Sequence, residues 1–554
     1  MKNTIVYGLT IILTAFCGVS AFSQDKPPQA SRHAEAASAL TETYGGQLGT
    51  IRFPVSCNEE ARSHIERGMA LLHHMTYEGA RDKFAAASQT EPDCAMGYWG
   101  QAMTYIHPLW SDPPTEVDFE IGQTLVQKAK SRGEKTAREQ AYIAAVDAYY
   151  KEGWNLNEKT NLASFAKGWD AAHRQFPEDI EVSALLALAL LGTADPSDKT
   201  YAVQKRAGAL AQTVLSQEPS HPGAHHYLIH AYDYPPLAKQ ALVVARQYGE
   251  IAPAVPHALH MPTHIFTRLG LWQEIITMNQ RSAAAALKHP IGDKISMHYL
   301  HALDYLVYAY LQRGDDEKAG ATLATLAALK GPFQVEFATS YTLAAVPARM
   351  ALERQQWRQA AALEARKPAS FPWDKFPAAE AITHFARALG AARSGDTVAA
   401  RRTIDKLTVL RDEAAKTSAY WAKQVDIQRI AAEAWLAFGE GRKDEALERM
   451  RHAADLEATT EKHPVTPGEV LPARELLADM LLETGRHQEA LAQYLAALER
   501  SPNRLNSLYG AGRAAELMGD DDKATFYYTN LVQGSATGVG QERVNHARAF
   551  LAEN

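Results

Sequence analysis

The sequence predicts an all-α protein, an α-solenoid in which antiparallel helix pairs wind into a superhelix. Three observations carry this. Small and large residues recur at a 34-residue period near both ends of the chain. Alanine is abundant, and runs free of glycine and proline, such as EVSALLALALL at 181–191, favour helix. Glycine and proline fall where such helices have to turn or stop.

The period is read from 34-residue windows. From Ala61, Gly68 takes position 8, Ala80 position 20, Phe84 position 24, Ala87 position 27 and Pro92 position 32. From Leu471, Gly485, Ala490, Tyr494, Ala497 and Pro502 take positions 15, 20, 24, 27 and 32; Gly512, Gly519, Ala524 and Tyr528 continue at 8, 15, 20 and 24. Small residues at 8 and 20 let two helices approach closely, the large residue at 24 fills the gap, and the proline helps to end the second helix. One such pair cannot bury its own face, so pairs stack. The pattern resembles the tetratricopeptide repeat family.

Weaker units repeat the 15/20 pair at Gly314 with Ala319, Gly395 with Ala400 and Gly441 with Ala446. Gly270 suits position 15, although Ile275 departs from the small residue expected at 20. Residues 111–220 look helical without keeping the period and are expected to form longer, irregular pairs. The segments HHYLIHAYD, PHALHMPTHIFTRLGLW and FPAAEAITHFARALGAARSGD are similar to a group of bacterial exported tetratricopeptide proteins, over roughly residues 50–550. That group brings no assigned activity or catalytic residue.

Residues 1–23 read as a secretory signal: Lys2, the apolar run IVYGLTIILTAF, then small Ser20, Ala21 and Ser23. Bulky Phe16 before Cys17 argues against a lipid anchor; an uncleaved N-terminal anchor is the alternative, because the apolar run approaches spanning length. A periplasmic or secreted protein follows, with no membrane insertion after cleavage. Residues 24–49 are expected to be flexible, 50–366 to form an N-terminal solenoid and 378–554 a C-terminal one. Two Pro-rich stretches, 367–377 and 461–472, read as joints. Composition is 46% hydrophobic and 22% charged with a formal net charge of −7, which excludes disorder and gives no footing for nucleic acid. Within the tetratricopeptide frame Cys57 and Cys94 both precede first helices of adjacent repeats, so export would permit a disulfide between them; two free buried thiols are the alternative.

Histidine is where the sequence departs from a plain scaffold. Ten of the 21 histidines lie between 221 and 301. His226 to His260, His230 to His264 and His264 to His298 are each 34 residues apart. In windows from 222, 256 and 290, His226 and His230 fall at positions 5 and 9, His257, His260 and His264 at 2, 5 and 9, and His298 and His301 at 9 and 12. Residues three or four apart share a helix face, so these seven form a stripe running across three first helices. The family resemblance implies that such a stripe faces the concave groove. His221, His225 and His289 fall off it and read as structural or surface residues. His73 and His107 are set apart too: they share position 13 of the first two repeats, which would edge the same groove, and repeat packing is the better explanation.

Neutral imidazole suits zinc, copper, nickel or iron. The candidate ligand set is His226, His230, His260, His264 and His298, with Asp233 and Asp304, three residues after His230 and His301, as outer carboxylates. Two readings stand. One is an exported scaffold whose groove binds a protein, a peptide or a small polar ligand; the other is a transition-metal protein or metal-dependent enzyme using the same histidines. Pure packing is the bland alternative. Pro262 requires the middle helix to start late or kink at Met261. No H-E-x-x-H, P-loop, G-x-S-x-G or paired C-x-x-C motif is present, and GAGRAA at 510–515 is explained by repeat packing at Gly512. Whether the chain is an enzyme is left open by the sequence.

Overall fold

The structure is a computed structural model that describes residues 47–110, 114–155, 158–195, 197–290 and 292–553. The expected signal, 1–23, and most of the expected flexible segment lie outside the described residues. The described chain contains no β-strand, only a parallel bridge between Ile295 and Phe333. No helix among these residues is long and apolar enough to cross a membrane.

Helix pairs follow one another along the array, from Glu59–His73 with Tyr77–Thr90 to Leu505–Leu517 with Asp521–Gly534, and Glu542–Glu553 covers the last pair. Local chemistry sets the boundaries. Asn58, Thr136, Asp179, Asp315, Asp396 and Asp520 cap helix starts with side-chain oxygens, and Thr136 forms a capping box with Glu139. The close approach expected at positions 8 and 24 is present: a Cβ on Gly68 would lie 2.9 Å from Phe84, and one on Gly512 would lie 2.5 Å from Tyr528. In the irregular region, Ile180–Leu191 is apolar on every side and buried over nearly its whole length, as a helix with neighbours all round must be.

Cys57 and Cys94 are joined by a disulfide with Cα atoms 5.3 Å apart, which ties the entry of the first repeat to that of the second. The chain is already docked at Leu48, which is buried and accepts a hydrogen bond at its carbonyl from His74 Nε2, 3.1 Å away. Across 367–377, helix Phe337–Glu353 packs directly on Pro377–Ser394, so the helix stack runs on through this stretch.

The stretch 461–472, expected as a joint, does more than connect. It belongs to a strap, 459–472, between helices Lys443–Ala458 and Ala473–Glu483 that reaches back to residues of earlier repeats. Arg349 donates to Gly468 O (2.9 Å), Glu469 O (3.0 Å) and Thr466 Oγ1 (3.2 Å). Tyr305 Oη donates to Pro464 O (3.2 Å), and Lys462 Nζ reaches Asp233 Oδ2 (2.8 Å). The C-terminal repeats close on the same region. Fully buried Arg504 bridges Glu353 (2.8 Å) and Glu475 (2.7 Å), Trp272 Nε1 donates to Asn503 O (2.8 Å), and Ala536 N donates to Arg313 O (2.9 Å).

Candidate metal centre

Three helices supply the histidines. Pro222–Tyr232 begins with proline at its first position, where the missing N–H costs nothing, and with His221 Nδ1 accepting from Ala224 N (3.0 Å). It carries His226 and His230 and stops at Asp233. Met297–Gln312, capped by Ser296, carries His298 and His301. The middle rung breaks where Pro262 requires: Pro256–His260 ends, Met261 joins, and Pro262 opens Pro262–Arg268. Thr263 Oγ1 donates to His260 O (2.7 Å), so the break leaves that carbonyl partnered.

The seven stripe histidines come together, in an interior covered by the strap rather than along an open groove. His226, His260, His264 and His301 are buried, and His230, His257 and His298 are half-buried. They do not form the single expected ligand set. His226, His230 and His257 make one triad, and His260, His264 and His301 make another; within each triad the ligand nitrogens lie within 4.8 Å of one another. His257 and His301 thus stand where the sequence placed His298, because the break at Met261 separates the two halves of the middle rung. His298 packs its ring against His257, with centroids 5.6 Å apart. The triads adjoin: the His230 and His264 rings are 5.9 Å apart.

Hydrogen bonding fixes the tautomers. His226 Nδ1 donates to His73 O (2.7 Å) and His264 Nδ1 to Asp233 Oδ2 (3.0 Å); both partners can only accept. His260 Nδ1 donates to Asn279 Oδ1 (2.8 Å), whose amide is oriented by Asn279 Nδ2 donating to Ile275 O (3.0 Å). Each of these neutral rings therefore presents a lone pair at Nε2. His260 Nε2 and His264 Nε2 face each other at 3.2 Å, and His226 Nε2 faces His257 Nε2 at 3.2 Å. His230 Nε2 is buried with no protein partner. Burial holds all seven rings below the ordinary histidine range, His230 at about 3 and His298 at about 4, and mutual repulsion within the cluster adds to this for most of them. Neutral imidazole is the metal-binding form.

Around the rings lies a supporting shell that the sequence shows only in part. Asp233, a candidate outer carboxylate from its place after His230, accepts from His264 Nδ1. Burial opposes its ionisation, yet Lys462, Arg268 and His264 together hold its carboxyl well below the usual range. Arg268 Nε reaches Asp233 Oδ1 at 2.9 Å. Burial lowers Lys462 to about 8 despite the Asp233 carboxylate. Asp304 does not serve His301 as expected: it turns to Arg349, 3.4 Å away, because that fully buried guanidinium needs a counter-charge. Asn279, Arg268 and the His73 carbonyl carry no motif in the sequence. Only Arg268, one turn beyond His264, had a positional signal.

The histidines off the stripe that the sequence set apart are held by other contacts. His73, Glu181 and His221 are close enough to hold an ion. Their ring nitrogens are already used: His73 meets Tyr227 Oη (2.8 Å) and Glu181 Oε2 (2.9 Å), and His221 meets Glu181 Oε1 (3.1 Å) and the Ala224 N–H. His225 stacks on Tyr248, His107 stacks on Tyr77, and His289 follows the last residue of Trp272–Lys288.

No family model matches the chain, and no curated protein matches it. Among solved structures it is similar to yeast Tom70, with 11% identity over 89% of this chain and 96% of that one at a TM-score of 0.33. It is also similar to the human IFIT1 dimer with m7Gppp-AAAA (12%, 90% and 94%, 0.31) and to the APC/C hetero-tetramer Cut9-Hcn1 (10%, 95% and 87%, 0.31). The helix pairs, their glycine–aromatic contacts and the 34-residue spacing make the chain a tetratricopeptide-like α-solenoid.

Proposed function

We propose that this protein binds transition-metal ions at two adjacent three-histidine sites inside its superhelix. The observation that carries the reading is the pair of Nε2 atoms of His260 and His264, which face each other at 3.2 Å while both Nδ1 atoms are committed to acceptors. Two lone pairs at that distance repel, and a cation between them relieves the repulsion. The all-imidazole donor set suits zinc, copper, nickel or iron and not calcium or magnesium. Three protein ligands leave a further coordination position open, which is the arrangement of metal sites that act on a substrate. The signal-like residues 1–23 and the disulfide at Cys57 support an exported location, periplasmic or secreted.

The test is metal analysis of protein purified without a polyhistidine tag, before and after reloading. About two equivalents per chain are expected, and His264→Ala is expected to remove one of them with the fold intact. Less than about a tenth of an equivalent of any transition metal in both states overturns the reading. A solenoid also suits protein or peptide partners through its surfaces. Strap residues Pro464 and Val465 line the histidine cavity beside the paired Nε2 atoms, which favours the metal reading.

A further inference from the structure

The histidine cluster opens onto a cavity of about 80 Å³. Its wall carries His230, His257, His264, His298 and His301, and three methionines: Met75, Met261 and Met297. The chain has only 12 methionines in 554 residues, so three on one wall is a local concentration. Methionine commonly fills irregular gaps in a core. Two features set these apart from filler.

The first is the backbone at Met75. This residue occupies the turn between helices Glu59–His73 and Tyr77–Thr90, in the left-handed region at φ +54°. The same turn elsewhere is made by glycine, as at Gly270 (φ +64°), Gly314 (φ +69°) and Gly485 (φ +75°). A side chain there costs backbone strain that glycine avoids. Gln355, the other non-glycine at this turn (φ +54°), uses its side chain to reach Asp479 Oδ2 at 3.3 Å. Met75 uses its own on the histidine cavity, where Trp110 Nε1 donates to its sulfur at 3.1 Å and orients the thioether.

The second feature is charge. No carboxylate belongs to either triad. The nearest fixed charges include the cations Lys462 and Arg268, already matched against Asp233. Divalent ions in both triads would add four positive charges to a space whose wall carries one carboxylate, Glu336, with Asp233 behind His264 already matched by Lys462 and Arg268, whereas monovalent ions would add two. Burying uncompensated charge is costly, so the donor set favours the smaller charge. Thioether sulfur is a soft donor that suits Cu(I), and imidazole binds copper as well.

We infer that the centre is built for Cu(I), held by the two histidine triads with thioether sulfur from the Met75–Met261–Met297 wall. The inference rests on the metal-binding reading above. The test uses the full-length, tag-free protein, made metal-free, with Cu(I) delivered anaerobically in competition with the chromophoric chelator bicinchoninate and Zn2+ titrated in parallel. Copper-edge X-ray absorption of the wild type is expected to show sulfur as well as nitrogen around the ion. The combined Met75→Leu, Met261→Leu, Met297→Leu variant keeps side-chain volume close to that of methionine. It is expected to lower Cu(I) affinity by about tenfold or more and to leave Zn2+ affinity within about twofold. Nitrogen-only scattering in the wild type overturns the inference, and so does an equal loss for both ions, which would mark the methionines as packing. Should the variant fail to fold, judged by circular dichroism, the wild-type spectrum decides alone. Binding of Zn2+ with no binding of Cu(I) sinks the copper assignment and spares the metal reading; binding of neither ion sinks both.

Discussion

Asp233→Asn gives a demanding test of how the shell supports the centre. The substitution keeps the shape, and an amide oxygen can still accept from His264 Nδ1, now 3.0 Å from the carboxylate. What it removes is charge. Lys462 and Arg268, whose side chains are only 3% and 4% exposed, lose their shared counter-ion. Removing one partner of a buried pair costs about 3–5 kcal/mol, so the variant should unfold at markedly lower urea. Metal binding should weaken separately, because a carboxylate behind a ligating histidine raises its basicity and fixes its ring; losing it costs about 10–100-fold in affinity. The two effects come apart in a second variant. Adding Lys462→Met to Asp233→Asn removes the stranded ammonium, so it should restore part of the urea midpoint and none of the affinity. Competition titration with Zn2+ and urea unfolding followed by circular dichroism read the two quantities. If Asp233→Asn binds Zn2+ within about twofold of wild type while His264→Ala loses a site, Asp233 does not set the state of His264.

Two further outcomes probe the framework. His74 is wholly buried between Tyr248 Oη and Leu48 O, and burial lowers it from 6.5 to about 3. The unfolded chain therefore binds a proton that the native chain refuses, so the stability this residue contributes is present above pH 6.5 and is lost as the pH falls towards 3, by at most about 5 kcal/mol. His74→Gln in the metal-free protein should flatten the fall of the urea midpoint across that window; an unchanged acid slope would count against it. Gly270→Ala should cost about 1–3 kcal/mol beyond Gly485→Ala, because a Cβ at Gly270 would meet Pro502 O at 2.3 Å whereas Gly485 faces open space. Equal urea midpoints for the two variants would mean that the C-terminal repeats do not close on Gly270 in solution.

The solenoid was legible because its cause is local. Packing of position 8 against position 24 recurs within one helix pair, so Gly68 with Phe84 and Gly512 with Tyr528 can be read from spacing alone. The stripe was legible for the same reason: His230, His264 and His298 share one repeat position. Its division into two triads was not, because that depends on how far the break at Met261 turns His257 away from His264. The proline signalled a break without its angle. Asp304 was misassigned because the sequence shows its neighbour on the same helix, His301, but not Arg349 arriving from another. The strap was the least legible element. Lys462 lies 229 residues from Asp233, in a stretch with no periodicity, and nothing in HPVTPGEVLP distinguishes a linker from a segment that threads an interior.

That strap also explains how a repeat protein can hold such a centre. In an open solenoid each repeat touches only its neighbours, and the array flexes along its length. A set of imidazoles held at 3.2 Å tolerates little flexing, since metal and catalytic constellations need positions held to about half an ångström. Here long-range contacts replace the missing rigidity. Arg504 joins Glu353 to Glu475, Asn503 meets Trp272, and Arg349 grips the strap at Gly468 and Glu469. Each of these links a C-terminal repeat or the strap to a helix that carries the histidines or packs beside them. The burial that comes with this packing lowers the proton affinity of the rings, which keeps them neutral and ready to ligate. Closure of the superhelix and construction of the site are therefore one physical event, and a variant that loosens the strap, such as Arg349→Met, should weaken the site without touching a histidine.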